Sequence, residues 1–268
     1  GKWQSKYNEK IKKGYKDVTH TVQVMAPIVD DKPDILGKIE EEKVDRFLNL
    51  MKKYTDGLVA KTYTVKAQNV TQQQVDNAQG FLNKLLKIPK KDVTTINSTL
   101  LELYMEIPRY MGDVRNHLLP NINLDKVLQQ EQDNLDAMAS QVKMLVPPKK
   151  TKVKKDKSLL DVLGIKMKEI KAHKDLDYLI KQLTGRKIDG LFEIQKEEHD
   201  RIFDNWMAKQ TNKQTRILIH GTRCTSVIPI IEQGLKIRPA GNYQFSGKVY
   251  GDGNYFSETC VKSLNYTG

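Results

Sequence analysis

"TRILIHGTRCTSVIPIIEQGLKI" runs from Thr215 to Ile237, and its reading decides the fold class. Its first part, "TRILIHGT" (215–222), is rich in β-branched and apolar residues and predicts a strand. Its second part, "TSVIPIIEQGLKI" (225–237), predicts a short helix stopped at Gly234. Upstream, "DLDYLIKQLTG" (175–185) predicts a helix with Gly185 as its C-cap, and "GLFEIQ" (190–195) a strand. Downstream, "GNYFSE" (253–258) predicts a strand and "TCVKSLNYT" (259–267) a helix. Strands alternating with short helices from about residue 158 onward indicate an α+β domain of the kind that carries catalysis.

Before that point the pattern is helical. "KIEEEKVDRFLNLMKKYTDGLV" (38–59) sets Ile39, Val44, Phe47, Leu48 and Met51 on one face. "TQQQVDNAQGFLNKLLKI" (71–88) starts at Thr71, a suitable N-cap, and turns Val75, Ala78, Phe81, Leu82 and Leu85 inward. "DVTTINSTLLELYMEI" (92–107) ends at Pro108. "NLDKVLQQEQDNLDAMASQVKML" (123–145), capped by Asn123, spaces Leu124, Val127, Leu128, Leu135, Met138, Val142 and Leu145 by three, four and seven. Such stripes are core positions, and four or more of these helices with short connections make a bundle. The expected organisation is a short N-terminal segment (1–25), a helical domain (26–146), a lysine-rich linker (147–157) and a mixed α/β domain (158–268). In the first, Thr19 to Val24 predicts a short strand after Gly14. The linker, "PPKKTKVKKDK", cannot build a core and reads as a solvated connection or as a nucleic-acid or nuclear-import patch.

The 268 residues carry a formal net charge of +12 and a pI near 9.4. That surplus favours polyanions: nucleic acid first, anionic membrane second, with a merely solvated lysine-rich surface as the alternative. No apolar run is long enough to span a membrane. The two cysteines, Cys224 and Cys260, form no CxxC pair. His220 and Cys224 are four residues apart, but two ligands do not make a metal site. An intracellular, reduced protein without a metal centre is the expectation.

Four short pieces carry chemistry: His220-Gly221-Thr222, Gly234-Leu235-Lys236-Ile237, Gly251-Asp252-Gly253-Asn254-Tyr255-Phe256 and Lys262-Ser263-Leu264-Asn265-Tyr266. "GDGNYF" lacks the third glycine of the kinase loop and the lysine spacing of the P-loop. In this order and spacing the four pieces resemble the transferase domain of the poly(ADP-ribose) polymerases. The resemblance extends upstream. "FEIQKEEHDRIF…NKQTRILIHGTR" looks like the strand leading into the family's histidine. "YMEIPRYMG" (104–112) is similar to a Tyr-x-x-Ile-Pro segment of its regulatory helical domain, and "KKGYKDVT" (12–19) to the tail of a WGR domain.

The resemblance implies an NAD-dependent glycosyltransferase that moves ADP-ribose to protein acceptors, itself included, and releases nicotinamide. It also implies activation by DNA breaks, a role in DNA repair and a nuclear location, or a nucleoid or cytoplasmic one where the source lacks a nucleus. The residue types suit NAD. The backbone N–H and C=O of one glycine, Gly221, satisfy both sides of the nicotinamide carboxamide, and the absent Cβ lets the ring approach. By the resemblance, Ser263 adds a hydroxyl to the amide oxygen, while Tyr266 and Tyr255 wall the ring. His220 meets a ribose hydroxyl, Thr222 and Ser226 lie along the adenosine half, and Tyr250 completes the cofactor-binding set. His220 and Tyr255 are the expected catalytic pair. The family's catalytic glutamate lies on a later strand, and no residue up to Gly268 matches it. Glu258 falls where the family has no catalytic acid. The transferase-like domain is therefore expected to be cut short, and a weakly active, mono-transferring or purely DNA- or ADP-ribose-binding homologue is the alternative reading.

Overall fold

The computed structural model describes residues 2–12, 36–145, 157–171, 177–182, 185, 187–237 and 251–267. Gly1–Asp34 and Ile35–Gly268 are two separate compact units. In the first, Lys2–Lys12 forms helix α1, with lysines in its last turn. The strand expected over Thr19–Val24, the lysine-rich stretch up to Asp156, and Tyr250 lie outside the described residues.

The second unit opens with four long helices: α2 (Glu42–Thr62), α3 (Gln72–Leu85), α4 (Val93–Glu106) and α5 (Leu124–Leu145). Local chemistry sets their starts. Thr71 and Gln74 form a reciprocal capping box, so two of the orphan N–H groups at the start of α3 find partners. Asp92 accepts from Thr95 N, and Asn123 from Lys126 N at 3.1 Å. Pro108 stops α4 as expected. The main core fills with the predicted faces of α3 (Val75, Ala78, Leu82 and Leu85) and α5 (Leu128, Leu135, Met138 and Val142), joined by Ile96, Leu100 and Leu103 of α4. Leu145 departs from the expectation and is 41% exposed, because α5 ends there.

At one edge of this core a buried arginine holds the "YMEIPRY" segment. Arg109 pairs with Glu131 and donates to the Leu103 carbonyl at 3.2 Å. Its guanidinium lies over the rings of Tyr63 (5.3 Å) and Tyr104 (4.9 Å). Tyr63 bridges Arg109 in antiparallel fashion, tying the end of α2 to the chain after α4. Burial pushes the Tyr63 hydroxyl up to about 12, the arginine's charge opposing it.

A second core forms where the N-terminal half of α2 meets the later chain: Val44, Leu48 and Met51 pack with Leu159, Leu163, Ile165, Met167 and Ile228. Helix α6 (Leu159–Leu163) starts at a Ser158–Asp161 capping box and stops at Gly164, whose φ of +63° is the left-handed region. Strand β1 (Lys166–Glu169) follows, then α7 (Asp177–Lys181) and β2 (Phe192–Gln195). The two strands pair antiparallel, Met167 opposite Ile194. Phe192 stacks on Phe47 of α2 at 4.8 Å. Helix α8 (Glu197–Ala208) occupies residues that the resemblance read as part of a strand. Helix α9 (Cys224–Gln233) and the short α10 (Cys260–Leu264) match the two predicted helices.

The described residues thus give a mixed, mostly helical α+β fold with a two-stranded sheet. Two predicted strands are absent. In "TRILIHGT" and "GNYFSE" only Ile219 and Ser257 pair, as an isolated bridge. β-propensity becomes a strand only where a ladder of partners runs along it, and here the ladder is one residue long.

Candidate active site

The motif residues meet where that bridge joins the chain before α9 to the chain before α10. Ile219 N donates to Ser257 O at 2.8 Å, and Ser257 N to Ile219 O at 2.9 Å. The bridge places His220 beside the second motif: its Nδ1 lies 3.0 Å from the Tyr255 carbonyl oxygen, so that nitrogen carries the proton. Its ring sits 5.7 Å from that of Phe256. With Nδ1 donating to that carbonyl, Nε2 is the ring nitrogen left to meet another partner.

Ser263, on α10, is buried and donates its hydroxyl to the Ile219 carbonyl at 3.1 Å. The α10 backbone comes so close to Gly221 that an added Cβ would lie 2.8 Å from the Ser263 carbonyl carbon and closer still to its oxygen. Only glycine fits at 221. The sequence reading gave Gly221 the same requirement for a different neighbour, the nicotinamide ring; the structure brings the Ser263 backbone there. His220, Gly221 and Ser263 are therefore assembled at one place.

The tyrosines are arranged differently. Tyr255 is half-buried, and its hydroxyl donates to the Gly251 carbonyl at 2.7 Å, closing the "GDGNY" turn on itself. Gly251 has a φ of +97°, which that turn needs and a side chain would resist. Asn254 Nδ2 donates to the Leu235 carbonyl at 3.0 Å, tying the "GDGNYF" motif to "GLKI". Tyr266 is exposed, its N–H bonded to the Ser263 carbonyl at 3.1 Å.

Thr222 and Ser226 flank the start of α9. This helix contains Pro229, which has no N–H to give the Thr225 carbonyl four residues earlier. The buried Thr55 of α2 supplies the missing donor at 3.2 Å. Arg223, at the N-cap, lies 3.7 Å from Asp133 of α5. Neither Thr55 nor Asp133 has a sequence signal for this role; a proline four residues after a helix start is the one available hint.

Glu258 pairs with Arg216 at 3.1 Å and both are exposed, the arrangement of a surface ion pair. Among the described residues no group of three or more His, Cys, Asp or Glu side chains could hold a metal ion. Two cavities lined by described residues, of about 670 and 240 Å³, lie elsewhere, against α6, β1 and α8 and beside Glu232. No helix among the described residues is long and apolar enough to cross a membrane.

Comparison with known proteins matches residues 174–268 to the poly(ADP-ribose) polymerase catalytic domain. Over this segment the chain is similar to that family's catalytic domain. The chain is also 52% identical over 95 residues to a protein named poly(ADP-ribose) polymerase-like, 100L, of Invertebrate iridescent virus 6. That match covers 35% of this chain and 52% of the relative. It is 38% identical over 142 residues to the uncharacterized protein 101L of the same virus, covering 53% of this chain and 58% of the relative. The chain thus spans a little over half the length of these curated relatives. Within the matched segment, the bridge at Ile219, the contact at Gly221 and the buried Ser263 form one connected unit.

Proposed function

We propose that this chain is an NAD-dependent ADP-ribosyltransferase of the poly(ADP-ribose) polymerase type. The observation that carries the reading is the meeting of His220, Gly221 and Ser263, three residues that the family's motifs supply from two distant stretches. In this reading the Gly221 backbone and the Ser263 hydroxyl, rotated from the Ile219 carbonyl to the ligand, hold the carboxamide, and Tyr255 and Tyr266 wall the ring. His220 Nε2 takes a ribose hydroxyl, with Thr222, Ser226 and Tyr250 along the rest of the nucleotide. The C1′–N glycosidic bond breaks and nicotinamide leaves with the bonding pair. An acceptor nucleophile forms the new bond at C1′ and gives up its proton. Positive charge develops on the ribose, so catalysis at full rate needs a carboxylate beside it.

The acceptors are proteins, this one included, and DNA breaks activate transfer. The net charge of +12 and the lysines of α1 and of residues 147–157 support a polyanion partner and a place in DNA repair in the nucleus, or in the nucleoid or cytoplasm of a source without a nucleus. The helical bundle packs on α9, next to His220-Gly221-Thr222, and this supports control of the site through the bundle. A second reading is a DNA- or ADP-ribose-binding homologue with weak or single transfer. The net charge of +12 supports its polyanion-binding side as well. Nicotinamide release from NAD, measured with and without nicked DNA, separates the two. Release stimulated by nicked DNA supports the enzyme; no release under either condition overturns it.

A further inference from the structure

Helix α10 carries Ser263 and the backbone that approaches Gly221, yet it is only five residues long. Fixing the first turn of a helix is unfavourable, so a helix this short is placed by contacts from outside it. Its own cap residue does not hold its start. Thr259 makes no capping bond to the first turn, and its hydroxyl lies 3.2 Å from that of Ser257 instead. An acceptor comes from 78 residues away: Cys260 N, the first amide of α10, donates to Gln182 Oε1 at 3.1 Å. Gln182 is half-buried and directly follows Lys181, where α7 ends. Its side chain thus joins the end of α7 to the start of α10.

The turn that Gln182 holds also carries the Ser263 hydroxyl. Cys260 and Ser263 are three residues apart and both are buried, so they share the inward face of α10. Near the other end of that turn, the Ser263 hydroxyl bonds the Ile219 carbonyl at 3.1 Å and the Ser263 carbonyl lies against Gly221. Within a single turn the backbone moves as a unit, so releasing Cys260 shifts Ser263 relative to Gly221. Gly221 has no side chain to set that spacing. The distance between the two motifs therefore depends on what holds α10.

We propose that Gln182 is a positioning residue. By accepting the Cys260 amide it fixes α10, and with it Ser263 against Gly221, in the geometry that takes a nicotinamide carboxamide. This rests on the NAD reading. The part played is that of a hydrogen-bond acceptor, so the effect of a substitution follows acceptor chemistry rather than side-chain volume.

The test uses the full-length protein with Gln182→Leu, of similar size but without an acceptor, and Gln182→Glu, whose carboxylate accepts the same N–H. Benzamide, a nicotinamide-ring analogue, and ADP-ribose, which lacks that ring, are titrated into each at neutral pH. Hydrogen exchange is followed at the Cys260 amide. Gln182→Leu is expected to bind benzamide about fivefold more weakly. Its Cys260 amide should exchange at least about fivefold faster. Gln182→Glu should keep both within about twofold of wild type. ADP-ribose affinity should stay within about twofold in both variants, because the bond removed lies on the nicotinamide side. Unchanged benzamide affinity or unchanged Cys260 exchange in Gln182→Leu overturns the proposal while the NAD reading stands. So does equal loss of the two ligands in Gln182→Leu, or a Gln182→Glu variant as weak as Gln182→Leu. Failure of the wild-type protein to bind either ligand overturns the NAD reading itself, and this proposal with it.

Discussion

The helical bundle and the motif segment after Thr215 are held together in different ways. The bundle buries long stripes of Leu, Ile and Val, and the starts of α3, α4 and α5 are capped by its own side chains. The motif segment buries little: Ile217, Leu218, Phe256, Val261 and Tyr266 are all more than a third exposed. A few specific contacts hold it, among them one β-bridge, one glycine approach and one serine hydroxyl. Stability in the bundle is therefore spread over many apolar contacts. In the motif segment, geometry depends on single positions.

The sharpest way to break the bundle is at its buried polar point. Arg109→Met leaves Glu131 buried without its cation and is expected to cost about 3–5 kcal/mol, read as a lowered denaturation midpoint. Leu100→Ala, at a fully buried position, should cost about 2–5 kcal/mol in the same assay. Val261→Ala on α10, 62% exposed, should change stability by no more than about 0.5 kcal/mol. If the two costs were similar, the contrast between the regions would fail.

Gly221→Ala sharpens the other side. The new methyl meets the Ser263 carbonyl, α10 must move, and benzamide binding should fall by at least about tenfold, with the bundle's far-UV signal unchanged. Gly80→Ala, on α3, has nothing within 4 Å of the new atom. It should stabilise the protein by about 0.5–1 kcal/mol, since alanine loses less backbone freedom in a helix. The same substitution thus has opposite signs in the two regions.

The smallest expected effect is a pH dependence. Hydrogen bonds from Arg115 hold the Asp113 carboxyl at about 2, below its ordinary 3.8. The folded state therefore favours the ionised form. That contribution is fully present above pH 3.8 and is lost as pH falls through about 2. Asp113→Asn should flatten the acid limb of the melting curve slightly and leave neutral pH unchanged.

Legibility in the sequence followed the same division. Periodicity predicted helices α2 to α5 and most of the buried faces of α2, α3 and α5, and Thr71 and Asn123 were readable as caps, because these features act over three or four residues. The motif residues were readable as identities at fixed spacings. What escaped was tertiary. The Arg109–Glu131 pair joins residues 22 apart, and the Thr55–Thr225 bond joins residues 170 apart. Helix α8 was read as strand through the resemblance alone; its large apolar residues Ile202, Phe203 and Trp206 are exposed. "TRILIHGT" has strand composition, but its pairing depends on a partner ladder that composition does not specify.

The central claim is that His220, Gly221 and Ser263 together form a nicotinamide site. Titration of the full-length protein with benzamide tests it most directly, comparing wild type with Ser263→Ala. The account predicts saturable binding to wild type, weakened at least about fivefold when the Ser263 hydroxyl is removed. Absence of saturable binding to the folded wild-type protein, or equal binding by the two proteins, would contradict it.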